Sequence, residues 1–227
     1  GFAIGEDTEP DNLAFNNDGT KMFVVTSGDE DVKEFTLTTG FDLSTATLKS
    51  SFDVSGQESA PSTLAFNGDG TKMFVLGRVG DDVNVYTLST GFDLSTATFN
   101  DINGDGSGFD VSGQDEATRG FAFNNDGTIM YYIGNTDNEI FVYTLSTGFD
   151  LSTATFNDIN GDGSGFDISG QTDTPRYLAF NNDGTKMFVV CDDNNDINVY
   201  NLSTGFDLLT ATFNDINGDG SGFDISG

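Results

Sequence analysis

The residues best suited to chemistry in this chain are oxygen donors set at alternate positions. Asp101, Asn103 and Asp105 stand in the run Asp-Ile-Asn-Gly-Asp-Gly, followed by Ser107 and Asp110. The text returns with Asp158, Asn160, Asp162, Ser164 and Asp167, and again with Asp215, Asn217, Asp219, Ser221 and Asp224. Side-chain oxygens at positions 1, 3 and 5 can turn inward around a hard cation. Glycine at position 6 permits the sharp turn, and position 7 offers a backbone carbonyl. The chemistry such a run supplies is Ca2+ coordination. A plainer reading stands beside it, because Asn-Gly and Asp-Gly are also common hairpin pairs and the segment then is a turn or bulge protruding from an outer strand.

Composition narrows the other possibilities. The 227 residues contain no His, no Trp and one Cys. That removes the usual general base and the commonest transition-metal ligand, and it rules out a thiolate zinc cage or an internal disulfide. Eight Lys plus Arg against 37 Asp plus Glu give a net charge of −29. A surface this acidic repels phosphate backbones and anionic headgroups, so nucleic acid and membrane insertion are excluded as expected partners and cations are favoured. An apolar content of 36%, with 22 Phe, is enough for a packed core. Acidic pairs recur in the turns Asp29-Glu30-Asp31, Asp81-Asp82, Asp137 with Glu139, and Asp192-Asp193 with Asp196, where a solvated face is the expectation. Arg119 and Arg176 are expected to neutralise acids near them, and Cys191, standing where other units have Thr26, Gly77 and Gly134, to be unreactive.

These residues sit in a repeat. Leu-Ala-Phe-Asn-Asn-Asp-Gly-Thr-Lys-Met-Phe-Val-Val begins at Leu13 and recurs, with changes, at Leu64, Phe121 and Leu178, spaced 51, 57 and 57 residues apart. In the first unit Leu13–Phe15 and Lys21–Val25 flank an Asp-Gly hairpin, Val32–Leu37 alternates as a third strand, and Thr47–Val54 reads as a fourth. The acidic run is inserted in the fourth strand of units two to four; unit one has the shorter Leu48–Asp53. Four short antiparallel strands per unit predict an all-β fold, a β-propeller of four near-identical four-stranded blades. The expected organisation is a single domain over 1–227, with repeats at 13–63, 64–120, 121–177 and 178–227 and with 1–12 as the end of a preceding unit.

The text Asp-Gly-Thr-Lys-Met-Phe-Val, at 18–24, 69–75 and 183–189 and in altered form at 126–132, resembles that of WD-repeat-like and YVTN-type bacterial propellers. The insert resembles the calcium loops of FG-GAP repeats in integrin-type propellers and of dockerins. That resemblance implies Asp101, Asn103 and Asp105 as side-chain ligands and Ser107 as a backbone ligand, and the same places in the other two inserts. The closing acid of those families falls where this chain has Phe109 or Ser112, so Asp110, at position 10, is the nearest candidate.

Outer-strand text at both ends, Phe2 to Gly5 and Phe223 to Gly227, predicts a window cut from a longer array. Two copies completing an eight-bladed ring is the leading expectation; a closed four-bladed monomer is the alternative. The near-identity of 87–114 and 144–171 predicts a function repeated per blade. The expected role is a non-enzymatic binding or structural module of a secreted or surface-attached bacterial, phage or marine protein, with a protein or glycan ligand on the loop face. A lectin-type propeller and a lactonase- or lyase-type propeller enzyme are the alternatives.

Overall fold

The computed structural model describes residues 4, 9–193, 195–218 and 220–226. The fold is an all-β propeller of four antiparallel blades. Blade 1 contains β1 (Pro10–Phe15), β2 (Lys21–Thr26), β3 (Asp31–Leu37) and β4 (Ala46–Asp53). Blade 2 contains β5 (Pro61–Phe66), β6 (Lys72–Gly77), β7 (Asp82–Leu88), β8 (Ala97–Phe99) and β9 (Phe109–Asp110). Blade 3 contains β10 (Thr118–Phe123), β11 (Ile129–Gly134), β12 (Glu139–Leu145), β13 (Ala154–Phe156) and β14 (Phe166–Asp167). Blade 4 contains β15 (Pro175–Phe180), β16 (Lys186–Cys191), β17 (Asp196–Leu202), β18 (Ala211–Phe213) and β19 (Phe223–Asp224). They form two compact units, 1–111 and 112–227.

Each sheet runs in sequence order through its first four strands, and the short fifth strand of blades 2 to 4 pairs the third. The first strand is longer than the sequence pattern predicts: it starts at Pro10, because a bulge between Pro10 and Asn12 lets Pro10 pair Thr26 without supplying an N–H. The fourth strand of blades 2 to 4 is cut in two by the acidic insert, and both pieces pair the same third strand: Phe99 faces Tyr86 and Phe109 faces Val83. Blade 1 shows why chain can be added there. Its uncut β4 carries a bulge between the pairs Glu34–Ser50 and Phe35–Leu48, leaving Lys49 as the extra residue. The insert emerges at the place where the short strand already bulges.

Within each unit the core lies between adjacent blades. In the first unit Phe23, Val25, Val32 and Val54 of blade 1 and its edge pack with Leu64, Met73, Val75, Tyr86, Leu88 and Leu94. The second unit repeats the arrangement with Tyr131, Ile133, Ile140 and Ile168 against Leu178, Met187, Val189, Tyr200 and Leu208. The turn after each third strand is the second conserved device of the repeat. Phe41, Phe92, Phe149 and Phe206 all have positive φ, between 57 and 65°. Such a backbone is costly for a bulky residue and persists only where its surroundings fix it. The ring of Phe92 lies over Gly70, where a Cβ would stand 2.3 Å from it, and packs on Phe66 and Phe23 at centroid distances of 5.3 and 6.1 Å. The backbone N–H of Phe92 donates to the Gly70 carbonyl. Asp-Gly in the first hairpin and Gly-Phe-Asp in the later turn therefore occur together because they touch.

Candidate functional site

The insert of blade 2 leaves the sheet after Phe99 and returns at Phe109. Its first carboxylate organises it from within. Oδ1 of Asp101 accepts from the N–H groups of Gly104 at 2.6 Å and Asp105 at 3.2 Å, and Oδ2 accepts from Gly106 at 3.0 Å. Asp105 accepts from both the N–H and the hydroxyl of Ser107, which hold its carboxyl below the usual carboxylate range. The amide of Asn103 donates to the Gly108 carbonyl at 2.7 Å. Blade 3 repeats every one of these bonds through Asp158, Asn160, Asp162 and Ser164. In blade 4 Asp215 accepts from Gly218 and Gly220 and Asn217 donates to the Gly222 carbonyl, while Asp219 lies outside the described residues. Ser221 there directs its hydroxyl toward the Gly222 carbonyl.

The acids expected to close the loop stand where it rejoins the sheet. Asp110, Asp167 and Asp224 stand in the short strands β9, β14 and β19, opposite Asp82, Glu139 and Asp196. Asp167 and Asp224 each accept from the N–H of the serine two residues on at 2.8 Å, and that serine's hydroxyl first and its N–H next lower both carboxyls. A carboxylate offers about four acceptor directions. With three N–H donors on Asp101 and an N–H and a hydroxyl on one oxygen of Asp105, more than half of the acceptor capacity of these two carboxylates is spent within the loop. Among the described residues, no group of three or more His, Cys, Asp or Glu is placed to hold a metal ion.

The acids expected on a solvated face are partly inside. Asp31, Asp82 and Asp196 are buried, each opening the third strand of its blade, and Glu58 and Asp115 are buried in the loops between blades. In blades 2 to 4 the opening acid accepts from the glycine N–H that ends the insert: Asp82 from Gly108 at 3.0 Å, Glu139 from Gly165 at 2.8 Å and Asp196 from Gly222 at 3.3 Å. Burial pushes the Asp82 carboxyl up to about 6, with the negative charges of Glu58 and Asp110 adding to the rise against the hydrogen bonds from Gly108 and Asn84. Glu58 accepts from Ala60 and Gly80, and Asp115 from Ala117, Thr136 and Asp137, so these two acids tie the inter-blade loop to the turn between second and third strands.

No family model matches the chain, and no curated protein matches it in sequence. Among solved structures it is similar to a candidate 6-phosphogluconolactonase from Bacteroides fragilis, with 18% identity and a TM-score of 0.54 over 92% of this chain and 53% of that one. A candidate 6-phosphogluconolactonase from Bacteroides uniformis gives 15% identity and a TM-score of 0.56 over 96% of this chain and 58% of that one. A functionally unknown protein from Desulfotomaculum acetoxidans gives 16% and 0.57, over 97% and 61%. The chain thus spans between half and two thirds of the length of these proteins, and at such identities the likeness is one of fold.

The remaining candidates have structural roles. Arg176 pairs with Asp192, as expected of a local neutraliser. Cys191 is buried, and burial raises its thiol. Its counterparts in blades 2 and 3 are glycines for a steric reason: a Cβ on Gly77 would stand 1.9 Å from the Glu58 carboxyl carbon, and one on Gly134 would stand 2.3 Å from that of Asp115. At the fourth blade the partner is the smaller Thr172, and its hydroxyl donates to Asp193. The sequence reading missed Glu34, which is fully buried and joins Lys21 and Lys49 at 3.0 Å each. The available signal was its place at an apolar position of β3, where the other blades have Val85, Val142 and Val199.

Proposed function

We propose that the chain is a non-enzymatic binding module that presents one acidic loop on each of three blades to cations, Ca2+ in the first instance. The observation that carries this reading is the repetition of the loop bond for bond between blades 2 and 3, with Asp101 and Asp158 each gathering three N–H groups. A surface built identically in successive blades serves a repeated ligand better than one asymmetric substrate. Because the loop oxygens are already engaged, affinity falls in the weak range of about 10⁻⁴ to 10⁻³ M that extracellular modules use. Calorimetric titration with CaCl2 tests the reading. Heat is expected from the wild type and its loss from the triple variant D101N/D158N/D215N; no heat at millimolar Ca2+ overturns it.

The same reading places the module among other blades, supplied by a second copy. Leu13 of blade 1 is 56% exposed where its counterpart Leu64 is 2%, and Ile225 of blade 4 is 49% exposed where Val54, Val111 and Ile168 are fully buried. Apolar positions that are core in one blade and open in another favour association. A mass near twice 24.1 kDa by light scattering is expected, and a mass near 24 kDa sinks the pairing.

A lactonase reading draws on the description of two structural neighbours. A net charge of −29 works against a phosphorylated substrate. Hydrolysis of 6-phosphogluconolactone above the spontaneous rate would overturn the non-enzymatic reading.

A further inference from the structure

Blade 1 and blade 2 solve the same electrostatic problem with and without a cation. In blade 1, Asp29 and Asp31 hold the ammonium of Lys33 between them, at 2.8 and 3.0 Å. In blade 2 the strand positions of Asp31 and Lys33 are taken by Asp82 and Asn84, and that of Asp29 by Gly80. The second carboxylate is nevertheless present, because Glu58 reaches in from the preceding loop. Its Oε2 accepts from the Gly80 N–H at 3.0 Å. A Cβ on Gly80 would stand 3.2 Å from that oxygen and 3.3 Å from Oδ1 of Asp82, so the two acids converge where the Asp29 side chain begins in blade 1. Both are buried, at 1 and 6% exposure. The acid pair of blade 1 is therefore rebuilt in blade 2 with the lysine replaced by an amide.

That amide supplies the independent observation. Asn84 is 0% exposed, its Nδ2 donates to Oδ1 of Asp82 at 2.7 Å, and its Oδ1, on the same amide beside the acid pair, is buried with no hydrogen-bond partner. An unpaired buried carbonyl is destabilising. A buried carboxylate pair lacking a counter-charge costs more. Two carboxylates and an amide oxygen are the donor types that hard cations take. A buried acceptor beside an opening acid recurs in blade 4, where Oδ1 of Asn198 is also buried without a partner, two residues after Asp196.

We infer that Glu58, Asp82 and Asn84 form a site for one hard cation, Ca2+ or Na+, which takes the place that the Lys33 ammonium occupies in blade 1. This site lies inside the blade, beneath the glycine that ends the insert, and uses none of the exposed loop carboxylates. It makes blade 2 stability cation-specific, whereas blade 1 carries its own positive charge.

The test uses the full chain, with melting temperature followed in CaCl2, NaCl and choline chloride at matched ionic strength, so that general screening is subtracted. The wild type is expected to melt higher in one of the two metal salts than in choline. Asn84→Lys supplies a tethered ammonium and is expected to abolish that increment. Asn84→Leu, which removes the oxygen at near-constant volume, is expected to abolish it too and keeps the test open should the lysine variant fail to fold. The insert variant D101N/D158N/D215N is expected to retain the increment, which separates this site from the loops. Which salt gives the increment identifies the ion. The inference is overturned if neither metal salt exceeds choline, or if the increment survives in Asn84→Leu.

Discussion

Removing the carboxylate of Glu34 should cost far more than removing either lysine that pairs with it. Oε1 of Glu34 meets Lys21 and Lys49 at 3.0 Å, while Oε2 accepts from the Ser50 hydroxyl at 3.3 Å and from the Leu94 N–H, in blade 2, at 3.1 Å. The glutamate side chain is 0% exposed and the lysine side chains are 24 and 35% exposed. The asymmetry sets the magnitudes. In Glu34→Ala the buried Leu94 N–H loses its acceptor, at about 1–3 kcal/mol, and a buried ion pair is broken, so the total expected loss is about 3–5 kcal/mol. In Lys49→Met a half-exposed cation leaves and Lys21 still neutralises the glutamate, so the loss is about 1 kcal/mol or less. Glu34→Gln keeps an acceptor for Leu94 and should fall between. Urea unfolding followed by tyrosine fluorescence measures all three. The reasoning is refuted if Glu34→Ala costs less than about 1 kcal/mol, or if Lys49→Met costs as much as Glu34→Ala.

Two further outcomes are expected. Gly134→Cys alone should destabilise by about 1–3 kcal/mol through overlap with Asp115, and the double change with Asp115→Thr should recover only part of the loss in the same denaturation assay, because it relieves the overlap but takes the acceptor from the Ala117, Thr136 and Asp137 N–H groups. Asp93 is held down to about 2 by the Ser95 hydroxyl first and the Lys49 ammonium next. A depressed folded-state value means that its stabilisation is complete above the unfolded carboxylate value near pH 4 and is lost as pH falls toward 2. The gap in melting temperature between wild type and Asp93→Asn should therefore close between pH 4 and pH 2, and a gap constant across that range would contradict the assignment.

The four-blade plan was legible because it rests on local signals: Asp-Gly turns between apolar runs, and a text repeated at spacings of 51 and 57 residues. The insert was legible as an interruption of the fourth strand for the same reason. What escaped the sequence depends on contacts between segments far apart in the chain. Asp82 reads as part of an exposed turn until Gly108, 26 residues on, is seen to close over it. Glu34 acquires its partner at Leu94, 60 residues away. The left-handed backbone of Phe92 carries no sequence mark, since the glycine that makes room for its ring, Gly70, belongs to another turn. The loop oxygens illustrate a different limit: spacing names the donors in the Asp-x-Asn-x-Asp run but not what they face, and Asp101 faces its own backbone.

The bulge at Lys49 has a use outside this protein's own biology. Between the pairs Phe35–Leu48 and Val32–Phe52 blade 1 passes three residues, 49–51, and between the equivalent pairs Tyr86–Phe99 and Val83–Phe109 blade 2 passes the nine residues 100–108. The edge strand thus behaves as a docking port for foreign sequence, already cut open in three blades and still closed in the first. A peptide epitope or a reporter grafted between Leu48 and Ser50 would be displayed at the same place in its blade as the natural inserts are in theirs, which makes each blade a ready frame for display.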